Sequence, residues 1–333
     1  MRRGRVVVER IESRVLAGNP LGDPAERELF VYLPPGYDLD PARRFPCVYV
    51  LTGFTGRGQM LLNTQPFTPD LAERTDGLIA SGRAAEMILV MPDCFTRLGG
   101  SQYINSTATG RYEDHLVEEV VPFVDAHFRT VAERGARAVM GKSSGGYGAL
   151  VHAMRHADVF GLAASHSGDC FFEYCYLPDF PKTFRAVKGD PAGFIERFWR
   201  EEKKGKLDVP ALNILAMSAC YSPDPDSPLG FRLPFDTETG KIHAAVWARW
   251  LEHDPVRLCA QYADNLRGLR LLYIDAGTRD EFGLDLGARI LAARLREMRV
   301  GFVHEEYDDG HFNISYRYDR SLELISKAAS GGA

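Results

Sequence analysis

Apolar positions in this chain fall into two kinds of pattern, and the two alternate. Short runs of apolar residues, bounded by turn residues, occur at 46–52, 86–92, 137–141, 161–166 and 271–277, and read as buried strands. Between them, apolar residues recur at helical spacing. In 112–128 the stripe is Leu116, Val117, Val120, Val121, Val124 and Phe128; by its period it is a core-facing face. Helices are also expected after residue 143, over 284–298 and over 242–251, where Trp247 and Trp250 read as packing residues. Segments 5–16 and 27–34 read as an antiparallel opening pair, and 300–306 as a last strand. Strands alternating with helices predict a largely parallel sheet covered on both faces. No internal repeat interrupts the pattern.

One junction carries more information than the rest. Val139-Met140-Gly141-Lys142-Ser143-Ser144-Gly145-Gly146 runs from a strand into a helix through a Gly-x-Ser-x-Gly turn. A serine lifted off a sheet edge on so sharp a turn leaves no room for side chains two residues before or after it, and glycine stands at both places. Ser143 is therefore the candidate nucleophile. Ser144 fails the same test, because Lys142 stands two residues before it. A serine hydroxyl needs a base, and the base an orienting acid. In the α/β-hydrolase arrangement these follow in the order Ser, Asp/Glu, His. Asp280 stands in the polar loop Thr278-Arg279-Asp280-Glu281-Phe282, just past the 271–277 strand, and is the expected acid, with Glu281 as runner-up. His311 follows Gly310 in a loop after the last strand and is the expected base.

The other histidines lack one or more of these features. His115, His127, His152 and His156 fall on expected helices, and the 152/156 pair has no carboxylate or cysteine at a spacing that completes a metal site. His243 and His253 precede Asp280, His304 lies inside a strand, and His166, near a strand end, is a candidate for lining the site. Two backbone N–H groups are expected to hold the oxyanion: Ser144, after the nucleophile, and Phe54, in the loop Thr52-Gly53-Phe54-Thr55-Gly56.

These pieces resemble the esterase D-like group of the α/β-hydrolases, which includes S-formylglutathione hydrolases, feruloyl and acetyl-xylan esterases, enterochelin esterase-like proteins and antigen 85 acyltransferases. The likeness is carried by Val31-Tyr32-Leu33-Pro34-Pro35-Gly36-Tyr37, by Cys47 through Gly56, by Met91-Pro92-Asp93 and by Gly100-Ser101-Gln102-Tyr103. It continues through the turn at Ser143, Ser167-Gly168, Asp280 and Gly310-His311. It implies a serine hydrolase of carboxylic esters that needs no cofactor or metal. An acyltransferase or thioesterase would use the same residues, and a silent binding protein could keep the fold. Gly53, Gln102 and Tyr103 are expected to face the substrate. The chain departs from the group in having Thr52-Gly53 where His-Gly or Ser-Gly is common, and in a longer stretch after Asp169.

That stretch divides the chain into a core, 1–168 with 256–333, and an insertion or cap, 169–255. Its aromatics over 171–176, Phe171, Phe172, Tyr174 and Tyr176, read equally as pocket lining and as anchors of the cap. Its charged run, 200–206, reads as a solvated helix face. Composition adds exclusions. A formal charge of −5 over 333 residues disfavours nucleic acid. No apolar run approaches a membrane span, and the basic start meets Glu9 after three valines, so no secretory apolar core forms. The six cysteines follow no framework and read as free thiols. A cytoplasmic protein acting on a small-molecule ester is expected, and a homo-oligomer is compatible with it.

Overall fold

The computed structural model describes residues 3–331; Met1 and Arg2 of the basic start, and 332–333, lie outside them. Its centre is a sheet of eight strands: β1 (Arg5–Glu12), β2 (Glu26–Leu33), β3 (Cys47–Leu51), β4 (Ile88–Pro92), β5 (Arg137–Lys142), β6 (Leu162–His166), β7 (Leu271–Gly277) and β8 (Val303–Tyr307). They lie side by side in the order β1-β2-β4-β3-β5-β6-β7-β8. Strand β2 is antiparallel to both its neighbours, and every pairing from β4 through β8 is parallel. The inner strands are buried on both faces, as unbroken apolar runs require. Register brings Leu51, Gly141 and Ser165 level at the carboxyl ends of β3, β5 and β6.

Helices cover both faces. They are α1 (Leu71–Ala80), α2 (112–127), α3 (Ser144–Arg155), α4 (Phe180–Val187), α5 (Pro191–Arg200), α6 (Asp208–Tyr221), α7 (Ala244–Leu251), α8 (Leu284–Glu297) and α9 (Arg317–Ala329), with shorter turns between. Leu71 and Leu78 of α1 pack with Tyr318, Leu322 and Ile325 of α9 on one face. The other face carries α2, α3 and α8, and its cluster runs on without a break into 169–255 through Phe172, Tyr176, Leu215 and Trp250. Helix α6 is buried on nearly every side. Asp254, fully buried, ties the two ends of 169–255 together: it accepts from the Phe171 and Phe172 amides at 3.0 and 3.2 Å, from Val256 N–H at 3.0 Å and from Arg257 Nη1 at 2.6 Å.

Four expectations change. Strand β1 stops at Glu12: Ser13 still donates its N–H to the Ala25 carbonyl at 3.1 Å, but its hydroxyl and the Arg14 N–H turn to the buried Glu119 carboxylate of α2, at 2.5 and 2.8 Å. Helix α2 is not uniformly α-helical: residues His115–Val120 are wound as a π-helix, and Pro122 has no N–H with which to continue a regular ladder. The charged run 201–206 is a loop between α5 and α6. Lys204 Nζ donates to the Phe198 and Glu201 carbonyls at the end of α5, which is how a helix terminus commonly satisfies its orphan acceptors. His156 lies one residue past α3. No helix of the described residues is long and apolar enough to cross a membrane.

Candidate active site

Ser143 closes the turn between β5 and α3 with φ 58° and ψ −126°, a conformation that costs a non-glycine residue on the order of 1–3 kcal/mol. The flanking glycines are demanded by space. A Cβ on Gly145 would lie 2.1 Å from the Leu51 carbonyl oxygen, and one on Gly141 2.5 Å from Gly145 backbone. Neighbouring strands stitch the turn in place: Ser143 N–H donates to the His166 carbonyl at 2.9 Å, and Ser167 N–H to the Asp275 carbonyl at 2.7 Å. Helix α3 points its N-terminal amides toward the same point.

Asp280 and His311 come from loops after β7 and β8 and meet there. His311 Nδ1 lies 2.8 Å from Asp280 Oδ2, and Asp280 Oδ1 accepts from Phe282 N–H at 2.9 Å. Burial pushes the Asp280 carboxyl up. The hydrogen bond and charge of His311, with the Phe282 amide, outweigh that and hold it below the usual carboxylate range. Glu281, the runner-up, grips backbone instead: its Oε2 accepts from His311 N–H at 2.6 Å. Phe282 and Phe312 flank the His311 ring edge-on at 4.8 and 5.3 Å.

Opposite the imidazole, the loop after β3 lies against the turn. Among the described residues, neither Phe54 N–H nor Ser144 N–H has a protein acceptor. Tyr103 supports this loop from beneath, its hydroxyl donating to the Thr52 carbonyl at 2.8 Å with Thr52 Oγ1 at 3.2 Å. The Tyr103 carbonyl in turn faces His152 Nε2 at 3.0 Å. Both Gln102 and Tyr103 have positive φ, 52° and 56°. Gln102 Nε2 reaches Asp169 Oδ2, Tyr176 OH and Tyr221 OH at 3.1, 3.1 and 2.8 Å.

A cavity of about 350 Å³ opens between these groups. Gly53, Phe54, Ser143, Ser144 and His311 line it, and the stretch 169–255 adds Asp169, Tyr176, Asp179, Val209, Pro210 and Asn213. Larger grooves of about 480 and 700 Å³, within 191–246 and beside β2, contain neither Ser143 nor His311. Several expected lining residues stand elsewhere. Phe172 is fully buried behind the cavity against Tyr147, Tyr176 and Tyr221, and Phe171 pairs with the half-exposed Tyr174 beyond it. Gln102 and Tyr103 sit behind and beneath the wall, around a small void shared with Phe54 and Ser144. Of the aromatics over 171–176, Tyr176 does line the cavity; sequence reading missed Asp179, although it follows the Ser167-Gly168 landmark closely. It also missed Val209, Pro210 and Asn213 of α6; no local signal ties them to a turn more than sixty positions earlier.

His166, a candidate for the site, turns to the opposite face of the sheet. Its Nδ1 lies 2.7 Å from Asp275 Oδ1 and its Nε2 2.9 Å from Ser321 Oγ, all three buried. Arg317 Nε and the Tyr273 hydroxyl each reach Asp275 Oδ2 at 2.8 Å. His152 and His156 are likewise engaged, by the Tyr103 carbonyl and by Glu113 at 2.8 Å. Among the described residues no three His, Cys, Asp or Glu side chains gather as metal ligands, and the six cysteines are free and buried.

Solved structures of similar fold include a ferulic acid esterase, at 20% identity and TM-score 0.64 over 98% of this chain and all of that one. An S-formylglutathione hydrolase from Agrobacterium tumefaciens matches at 17% identity and TM-score 0.60 over 99% and 97% of the two chains. Among curated proteins, Esterase Rv1288 of Mycobacterium tuberculosis is 40% identical over 83 residues, 25% of this chain and 18% of that protein. An endo-1,4-beta-xylanase/feruloyl esterase of Xylanibacter ruminicola is 29% identical over 161 residues, 47% of this chain and 21% of that protein. The chain thus matches about a fifth of the length of these curated relatives. The model of the Esterase family matches residues 24–322, nearly the whole fold from β2 to α9, and the chain belongs to that family.

Proposed function

We propose that this protein hydrolyses carboxylic esters through an acyl-enzyme on Ser143. His311 takes the Ser143 proton as the hydroxyl oxygen attacks the ester carbonyl. Asp280 holds the imidazole in the tautomer that leaves Nε2 free, and stabilises the imidazolium. The carbonyl oxygen, now an oxyanion, is received by the Phe54 and Ser144 amides. His311 then gives its proton to the leaving alcohol, and water enters by the reverse of the same steps. Residues 169–255 serve as a cap whose α6 and Tyr176 side chains bound the substrate.

The observation that carries this reading is the 2.8 Å His311–Asp280 contact on the wall of a cavity that also holds Ser143 on its strained turn. Membership of the Esterase family and the ferulic acid esterase of like fold are consistent with it. Its test is labelling by a fluorophosphonate probe with mapping of the modified peptide, together with turnover of model esters and thioesters across acyl length. Adduct on Ser143 and ester turnover are expected. A folded protein that takes no label and cleaves no ester is not a hydrolase of this kind.

A further inference from the structure

Lys142, between Gly141 and the nucleophile, has no part in the chemistry just described. Its side chain is half-buried and lines the cavity that holds Ser143 and His311. Among the described residues its ammonium reaches no hydrogen-bond acceptor and no carboxylate at ion-pair distance; its nearest aromatic neighbour is the Phe312 ring, 5.5 Å away. Burial pushes its pKa down, while the charges of Asp280 and Glu281 pull it back. Those carboxylates are already committed, Asp280 to the His311 ring and Glu281 to the His311 backbone. Taking an ammonium partly out of water without a partner is costly, and a titratable group perturbed by burial in a cleft is a candidate functional residue.

The cavity is also polarised. Phe312, the neighbour of Lys142, directly follows His311, the group that protonates the departing alcohol. The carboxylates of Asp169 and Asp179 belong to the insertion; Asp169 accepts from the Ser144 hydroxyl at 3.3 Å, on the oxyanion side, and Asp179 is held by Lys182 at 2.6 Å. The unpartnered cation thus lies on the His311–Phe312 part of the wall, while Asp169 and Asp179 stand on the part contributed by 169–255.

We infer that Lys142 is a specificity residue, and that the preferred ester carries a carboxylate on its alcohol portion, placed to meet the Lys142 ammonium beside Phe312. This rests on the hydrolase reading. The test compares kcat/KM for 4-acetoxybenzoate and its methyl ester, whose leaving groups differ in one negative charge, in the unaltered protein, Lys142→Gln and Lys142→Arg. The readout is the anionic-to-neutral ratio, from which any general change in hydrolysis divides out. That ratio should fall about tenfold in Lys142→Gln, the scale of one charge-assisted hydrogen bond, and be largely kept in Lys142→Arg. A ratio unchanged within about twofold overturns the inference. So does a charge preference that depends on Lys142 only when the carboxylate is moved to the acyl side, in a 4-nitrophenyl ester of suberic acid compared with its methyl ester. If no ester is cleaved and Ser143 takes no fluorophosphonate, the hydrolase reading itself has failed; if all are cleaved with the ratio unmoved, only the role of Lys142 has.

Discussion

The sheet carries two Ser, His, Asp constellations, one on each side. On one side His311 meets Asp280 at 2.8 Å, and the cavity beside them holds Ser143. On the other, His166 meets Asp275 at 2.7 Å and Ser321 at 2.9 Å. By contact distances alone the second is the more complete. Its surroundings differ. Ser321 sits within α9 and is sealed from solvent, and its hydroxyl also donates to the Tyr318 carbonyl at 3.2 Å. Arg317 already neutralises Asp275: burial pushes that carboxyl up, and His166 and Arg317 hold it below the usual range. Around Ser143 the strained turn, the unpartnered Phe54 and Ser144 amides and the cavity are all present. A nucleophile is defined by access and by what awaits the oxyanion, more than by the nearness of three side chains. The buried set instead ties β6, β7 and α9 together beneath the strand ends that carry the site.

The sharpest way to break this comparison is to remove each serine. Ser143→Ala should lower kcat by about 10⁴–10⁶ and leave the melting temperature nearly unchanged. Ser321→Ala should keep activity within a fewfold and cost about 1–2 kcal/mol in chemical denaturation, from the bond lost to buried His166. Comparable activity losses in the two folded variants would make the buried set functional.

The two acids should separate in the same sense. Asp280→Asn is expected to lower kcat by about 10⁴ with a small effect on stability, and Glu281→Gln to lower it far less. Asp275→Asn should destabilise by about 3–5 kcal/mol, because the buried carboxylate that both His166 and Arg317 bond is lost. Denaturation curves beside steady-state kinetics decide this. Glu281→Gln as the more damaging loop change would move the acid to Glu281.

Acid should act on the scaffold through histidines outside the site. Burial holds His152 and His253 down to about 4. Both stay neutral in the fold but take a proton on unfolding below about 6.5. The unfolded chain therefore binds more protons, and stability falls as pH drops from about 6.5 toward 4, by up to about 1.4 kcal/mol per pH unit for each group. Glu113, at about 2 where burial is outweighed by His156 and Arg155, adds loss below about 4.5 in the same direction. Urea midpoints at pH 7, 6 and 5 measure the slope, and His253→Phe should flatten it. A flat profile in the parent protein removes the assignment.

Tyr103→Phe should lower kcat by about five- to tenfold, because one hydrogen bond steadies the Thr52 carbonyl and the loop bearing the Phe54 amide. The smallest effect is expected at Phe171. Phe171→Ala should leave the ranking of acyl chains unchanged while lowering stability slightly, whereas Val209→Trp, on the cavity wall, should shift the ranking toward short chains. A changed ranking in the Phe171 variant would restore that residue to the pocket.

What could be read directly from the sequence was local. Apolar runs placed the strands, because burial on both faces leaves no room for polar residues. Gly141 and Gly145 marked the turn, because only glycine fits against Leu51 and its neighbours. Chain order singled out Asp280 and His311 from other acids and histidines, and the structure brings those two side chains into contact. What the sequence left undecided depends on atoms far apart in the chain. Phe171 and Phe172 looked like pocket residues by position, but Asp254, more than eighty residues on, pins their amides and turns both rings away. Val209, Pro210 and Asn213 reached the cavity only because α6 is swallowed by the core. His166 beside a strand end could have faced either way, and Asp275 with Ser321 drew it under the sheet. Strand, turn and order follow from neighbours in sequence; which side chain finally faces Ser143 follows from packing, and packing is a property of the whole fold.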